Sequence, residues 1–189
     1  MTQKKRVLVP LAEGFEEMEA VCIIDVLRRA DIEVLVAGLE PGPVRGAHGI
    51  TLGVDLALDE VDAESLDAVA LPGGMPGTLG LMEDERVLAL LRRLHAAGRP
   101  TAAICAAPMV LEAAGLVDGV EVTSHPAVRH RLGAAQVLAA PRVVRSGNVW
   151  TSQGPGTAIE FALALVEELC GPEPARELGE AMLVAVPAS

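Results

Sequence analysis

The chain has 189 residues, 51% of them hydrophobic and 2% aromatic, with a formal net charge of −11. That hydrophobic fraction excludes a disordered chain, and no apolar run is long enough to span a membrane. The acidic balance, with two Phe and one Trp to stack on bases, argues against nucleic acid as a partner.

The length fits one domain, residues 1–189, able to bury a real core. The opening MTQKKRVLVPLAEGFEE starts basic, but Pro10 and Glu13 interrupt its apolar run, so no signal peptide is expected. Three widely spaced cysteines make no disulfide framework, and the expected compartment is the cytoplasm.

In chain order, residues 6–12 (RVLVPLA) read as a buried strand, and Glu13-Gly14 turns the chain. A helix follows over 16–30, with Arg28 and Arg29 in its last turn. It is apolar at Met18, Val21, Cys22, Ile23, Ile24, Val26 and Leu27, wider than one core-facing stripe. Such a helix needs two surfaces to bury it, and a partner subunit could be the second. Residues 32–39 (IEVLVAGL) are the next strand. Residues 41–58 are rich in Gly, with β-like pieces at 49–52 and 54–56, and predict a small antiparallel excursion.

Residues 67–71 (DAVAL) form a strand ending in Pro72-Gly73-Gly74, and 79–97 predict a helix closed by Gly98. The stretch 101–115 (TAAICAAPMVLEAAG) is a strand-length run joined at Cys105 to a helix, with Pro108 in its first turn and Gly115 as its stop. A short strand at 120–124 ends at His125-Pro126. Residues 142–152 predict a hairpin turning at Ser146-Gly147-Asn148. Gly154-Pro155-Gly156 leads into a helix over 157–169 that Gly171-Pro172 stops, and 173–184 make a final amphipathic segment. Strands alternating with helices mean a mostly parallel sheet covered on both faces.

In an open α/β sheet, ligands collect at the carboxyl ends of the strands. Four turns are expected to meet there: Glu13-Gly14 with the start of the first helix, Pro72-Gly73-Gly74, Cys105-Ala106, and His125-Pro126. A thiol on a tight strand-to-helix turn faces the free amides of a helix N-terminus, which favour the nucleophilic thiolate. The turn is a cysteine counterpart of the nucleophile elbow, with alanines where glycines are usual. An isolated Cys is also commonly a small buried hydrophobe. Glu19 is either a solvated charge at a helix start or a carboxylate turned inward. Gly74 either brings an amide close to a ligand or only shapes a turn. His125 is either a site group or structural. His48, His95 and His130 have no obvious partner and read as surface residues, and Cys22 and Cys170 read as packing or surface residues. There is no P-loop, zinc-type spacing, H-E-x-x-H or full dinucleotide fingerprint, so no metal or cofactor is expected.

EGFEEMEAVCIIDVLRRA, DAVALPGG, AAICAAP, SHP and TSQGPGTAIEFALALVEEL, in that order from first strand to last helix, resemble the ThiJ/PfpI family. The likeness is closest to the branch of the Parkinsonism-associated protein deglycase and its bacterial relatives. It implies a flavodoxin-like three-layer sandwich and a homodimer built partly on the first helix. It puts the reactive cysteine on Cys105, its partner carboxylate on Glu19 and a nearby histidine on His125. Oxyanion or substrate contacts fall on Gly74, Ala106, Gly73 and Arg29. Where the peptidase branch has His after the Cys this chain has Ala106, which argues against a cysteine peptidase. Gly46 and Gly53 stand in place of peripheral cysteines, and His48 in place of a basic residue that reaches the partner's site.

The implied function is a glutathione-independent enzyme that converts glyoxal or methylglyoxal, and early glycation adducts, to 2-hydroxy acids through a Cys105 hemithioacetal. A redox-responsive stress or chaperone-like protein sensing oxidants through Cys105 is the alternative. Three expectations follow from these residues. Ile24→Glu disrupts a symmetric dimer, Cys105 oxidises before Cys22 or Cys170, and a Cys105 thiolate is hydrogen-bonded to a protonated Glu19.

Overall fold

The computed structural model describes residues 4–184. The elements are β1 (Arg6–Leu11), α1 (Glu17–Arg29), β2 (Glu33–Gly38), β3 (Val44–Arg45), β4 (Thr51–Leu52), β5 (Leu56–Ala57) and β6 (Ala68–Leu71). They continue with α2 (Gly77–Glu83), α3 (Glu85–Ala96), β7 (Thr101–Ile104), α4 (Pro108–Ala113), β8 (Glu121–Val122) and β9 (Gln136–Val137). The chain closes with β10 (Val143–Ser146), β11 (Val149–Ser152), α5 (Ala158–Cys170) and α6 (Pro172–Ala181). Seven strands make one sheet in the order β10-β11-β7-β6-β1-β2-β5, parallel except for the β10–β11 hairpin.

Alternate side chains leave the strands on opposite faces. Val7, Val9 and Leu11 pack with Ile23 and Leu27 of α1 and Phe161 and Leu165 of α5. Leu8, Val69 and Leu71 pack instead with Leu81 of α2, Leu91 of α3 and Val110 of α4. The result is the expected flavodoxin-like α/β sandwich. From β1 the chain passes to β2 on one side and later returns as β6 on the other. The turns that leave β1, β6 and β7 therefore lie side by side at the switch point of the sheet, where such folds hold ligands.

Four expectations change. The helix predicted over 79–97 is two helices, because Asp84 leaves the helical region (φ −88°, ψ 108°) and its side chain accepts from the Arg86 N–H at 2.9 Å. Arg86 is also ion-paired with Asp59 at 3.0 Å, which anchors the break. In the 41–58 excursion, β4 pairs antiparallel with β3 rather than with 54–56. The latter piece shifts to Leu56–Ala57 and joins β2 in parallel, because Asp55 is captured there: its N–H donates to Val36 O (2.8 Å) and its Oδ2 accepts from Val36 N–H (2.9 Å). The strand at 120–124 shortens to Glu121–Val122 and pairs with β9 outside the main sheet. Gly171-Pro172 stops α5 but opens α6 at once, with Pro172 in its first turn. No described helix is long and apolar enough to cross a membrane.

Candidate active site

The turn after β7 holds Cys105 at φ 64°, in the left-handed region that residues with a Cβ rarely adopt. Such a conformation persists where the surroundings over-determine it. Here the Cys105 N–H donates to Ser152 O of β11 at 3.0 Å, and Cys105 O accepts from the His125 N–H at 2.9 Å. Ala106 and Ala107 are buried behind the turn, where larger side chains would displace it. The helix that follows is only six residues long. The local N–H groups of Ala106 and Gly74, rather than a long helix dipole, are what favour charge on the sulfur.

Glu19, in the first turn of α1, is turned inward and 0% exposed. Its Oε2 accepts from the Gly73 N–H at 2.7 Å. Its Oε1 is buried without an N–H or O–H partner, which leaves the Cys105 thiol as the group with which the carboxyl can share a proton. The orientation follows from how α1 begins. Glu16 caps the helix by accepting from the Glu19 N–H at 2.7 Å, while its own N–H donates to Gly73 O at 2.9 Å. The head of α1 and the turn after β6 are thus joined backbone to backbone. Gly73 keeps the space between the reacting groups open: a Cβ there would lie 2.8 Å from Cys105 Cβ and 3.0 Å from Glu19 Oε2.

Burial raises the Glu19 carboxyl to about 7, against the lowering effect of the Gly73 N–H and the Cys105 thiol. At Cys105, burial first, then the charge of Glu19 and the hydrogen bond to it, push the thiol up, while the Ala106 and Gly74 amides pull it down. The upward push on the thiol runs against the expected resting state of a Cys105 thiolate beside a protonated Glu19. With Glu19 ionised, the sulfur keeps its proton. The two groups share one proton near neutral pH, and the sulfur is charged when the carboxyl holds it.

Cys105, Ala106, Gly74, Met75, His125 and Val128 line a cleft of about 340 Å³. His125 is exposed at its edge, and its Nδ1 accepts from the Ala127 N–H at 3.3 Å. Arg29 is not brought to this site within the chain. It sits at the other end of α1, about 15 Å further along the axis than Glu19, and pairs with Asp25 at 2.6 Å.

His48 is on the surface, as expected, but it is not without a partner. Its Nδ1 lies 2.9 Å from Glu17 Oε2 and its N–H donates to Glu17 Oε1 at 2.6 Å, where the Ile50 N–H adds a third contact at 3.3 Å. Burial acts to raise the Glu17 carboxyl, yet the His48 ring and these amides hold it below the usual range. A Cβ on Gly46 would lie 2.4 Å from that carboxyl, so a cysteine there would have to displace Glu17. Glu16, Glu17 and His48 are the one His/Cys/Asp/Glu group among the described residues with ligand atoms within 4.8 Å of one another. Both Glu17 oxygens and Glu16 Oε2 already accept hydrogen bonds, so the group acts as a staple between the 46–50 loop and α1. His95 is half-buried rather than on the surface, His130 is exposed, and Cys22 and Cys170 are half-buried.

The DJ-1/PfpI family model matches residues 5–168. The chain is 41% identical over 181 residues to protein DJ-1 homolog A of Arabidopsis thaliana, covering 95% of this chain and 46% of that one. It thus spans about half the length of that plant relative. It is 39% identical over 185 residues to glutathione-independent glyoxalase DJR-1.2 of Caenorhabditis elegans, covering 97% and 98% of the two chains. The crystal structure of Drosophila melanogaster DJ-1beta superposes with a TM-score of 0.94 at 42% identity, covering 97% of this chain and 100% of that one.

Proposed function

Because this chain belongs to the DJ-1/PfpI family, we propose that it is an enzyme that converts glyoxal or methylglyoxal to 2-hydroxy acids without glutathione or a metal. The observation that carries this reading is the buried Glu19, fixed by Gly73 and open at Oε1 beside Cys105. With the shared proton on Glu19, the Cys105 thiolate adds to the aldehyde carbon and Glu19 protonates the resulting alkoxide, giving a hemithioacetal. The Gly74 and Ala106 amides hold the developing oxyanion.

The Glu19 carboxylate then removes the proton from that carbon, the electron pair forms an enediol, and the proton returns to the neighbouring carbon. The ketone oxygen gains a proton and the hemithioacetal hydroxyl loses one, an exchange for which His125 stands at the cleft edge. The former aldehyde carbon is thereby oxidised to a thioester while its neighbour is reduced to an alcohol. Water cleaves the thioester, releasing glycolate from glyoxal or lactate from methylglyoxal and restoring the thiol. Early glycation adducts on protein are further substrates in this reading. Purified protein is expected to form lactate from methylglyoxal, and Cys105→Ala to form none. No hydroxy acid from either dicarbonyl with the unaltered protein overturns the reading.

We further infer that a second copy covers α1. Met18 is 60% and Val21 45% exposed on that helix, while Ile24 is half-buried. Outward apolar side chains of this kind mark a contact surface, and a symmetric pair buries both copies at once. Because Val21 points further out than Ile24, Val21→Glu tests the surface without disturbing the core. Light scattering is expected to give twice the mass of one chain for the unaltered protein and one chain mass for Val21→Glu. A monomer for both removes the dimer.

The amides that favour charge on the sulfur also favour a second reading, a sensor that peroxide oxidises to the sulfinate with release of water. Burial holds all three thiols up, but Cys105 has the Ala106 and Gly74 amides acting against it, and no amide does so at Cys22 or Cys170. Mild peroxide is expected to modify Cys105 first, as read by peptide mass spectrometry. Earlier oxidation of Cys22 or Cys170 counts against it.

A further inference from the structure

The geometry points to a substrate preference that the family reading does not supply. The cleft over Cys105 selects 2-oxoaldehydes that carry an uncharged apolar substituent, aromatic ones ahead of methylglyoxal, and rejects those that carry an anion. This inference rests on the enzymatic reading above for its turnover arm, and on the cleft alone for its binding arm.

Beyond the reacting groups, the cleft walls are Met75, Ala127, Val128 and Pro155. His125 is the one ionisable side chain lining it besides Cys105, and no Lys or Arg does so. Its volume of about 340 Å³ far exceeds what methylglyoxal fills. An apolar cavity of about 150 Å³ suffices to bind benzene, so a phenyl group fits beside a hemithioacetal at Cys105. Met75 is 44% exposed at the rim, a large flexible thioether standing in water. Such a side chain packs readily on an aromatic face.

A carboxylate on the same substituent fares differently. It would lose water to apolar walls with no cation to replace it. The Gly74 and Ala106 N–H groups are committed to the reacting sulfur and oxygen. The whole chain carries −11, and the two arginines beside the cleft are engaged elsewhere, Arg129 with Ser124 O at 3.0 Å and Arg142 with Gly156 O at 2.6 Å and Glu160 at 2.7 Å. Within the chain Arg29 is paired with Asp25 at the far end of α1, so an anion would find it at the cleft only if a second copy brought it there, an outcome that iodoacetate in the lead would reveal. Contacts made by a non-reacting substituent act on kcat/KM through the transition state, and one or two extra buried groups in an apolar pocket are worth about tenfold or more.

Two measurements test this. In turnover, kcat/KM for phenylglyoxal is expected to exceed that for methylglyoxal about tenfold, and 4-carboxyphenylglyoxal to lose that gain. Val128→Asp and Met75→Ser are expected to lower phenylglyoxal turnover more than methylglyoxal turnover. In binding, alkylation of Cys105 is followed by peptide mass spectrometry, each rate divided by that of the same reagent with glutathione. Phenacyl bromide is expected to lead iodoacetamide, and iodoacetamide to lead iodoacetate. Equal normalised rates, or iodoacetate in the lead, overturn the preference whether or not any dicarbonyl is turned over. Selective alkylation without turnover keeps the preference and removes the enzymatic reading. Turnover with equal kcat/KM for the two uncharged substrates does the reverse.

Discussion

Replacing Glu19 by Gln is expected to lower kcat for methylglyoxal by about 10²- to 10⁴-fold, the usual contribution of a positioned acid or base, while making Cys105 easier to ionise. The opposite signs follow from the geometry. The Gly73 N–H that holds Oε2 finds the amide oxygen of Gln, so the side chain stays in place. The carboxylate charge that pushes the thiol up is gone, and an amide N–H can donate to the sulfur. Thiolate absorbance is therefore expected to rise at lower pH as turnover disappears. Glu19→Asp withdraws the carboxyl by one methylene and is expected to weaken both functions. Full turnover in Glu19→Gln would eliminate the proton-carrier role, whatever the thiol titration showed.

The same substitution has a pH-dependent effect on stability. The folded carboxyl is raised from 4.5 to about 7, so the folded protein binds the proton more tightly than the unfolded chain. Stability is then fully present below pH 4.5, falls as pH rises through about 7, and levels off above it. Removing the carboxyl is expected to leave the protein little changed at pH 4 and to stabilise it at pH 8 by roughly 3 kcal/mol. Denaturant unfolding at the two pH values reads the difference. An equal effect at both would place the carboxyl's charge elsewhere than in the buried site.

Gly74→Ala is expected to be strongly damaging. At φ 94° the new Cβ would lie 2.3 Å from Glu16 N, 2.5 Å from Phe15 C and 2.7 Å from Gly14 O. All three are backbone atoms, so no side chain can swing away. The contact sits where the turn after β6 meets the head of α1, and any retreat carries Glu19 off Cys105. A loss of about 3 kcal/mol or more is expected, about 10 °C in Tm for a chain of this size. Gly115→Ala is the control, since φ there is 75° with nothing within 4 Å of the new Cβ. It carries the backbone strain alone, about 1 kcal/mol. Equal losses at both positions would show that the close approach at Gly74 is not what holds the two turns together.

The parts of this site that the sequence makes legible are those with a local signature. Cys105 stands at a strand-to-helix junction, Gly73 and Gly74 at a strand end, and Glu19 at a helix start. The inward turn of Glu19 is not legible, because it depends on the Glu16 N–H reaching Gly73 O across the fold. The Glu17–His48 pair is hidden for the same reason, its members standing 31 positions apart with α1 and β2 between them. The break at Asp84 is a different failure. An Asp cap is a readable signal, but the apolar rhythm of Leu81, Val87, Leu88 and Leu91 runs through it and suggests one helix. At 54–56 the alternation suits either sheet, and the hydrogen bonds between Asp55 and Val36 decide which.

Those bonds at Asp55 also close a margin of the sheet. β5 covers the outer side of β2 only at Ala37 and Gly38. Below them Asp55 occupies both the N–H and the C=O of Val36, at 2.9 and 2.8 Å, and an Arg28 guanidinium N–H donates to Val34 O at 3.1 Å. A strand from another molecule, arriving along Val34–Val36, meets backbone groups that are already taken. Open-ended ribbon growth, the route by which exposed sheet edges lead to aggregates, is thus obstructed at this border. The dimer proposed above uses the outer face of α1 instead, where a symmetric contact closes after two.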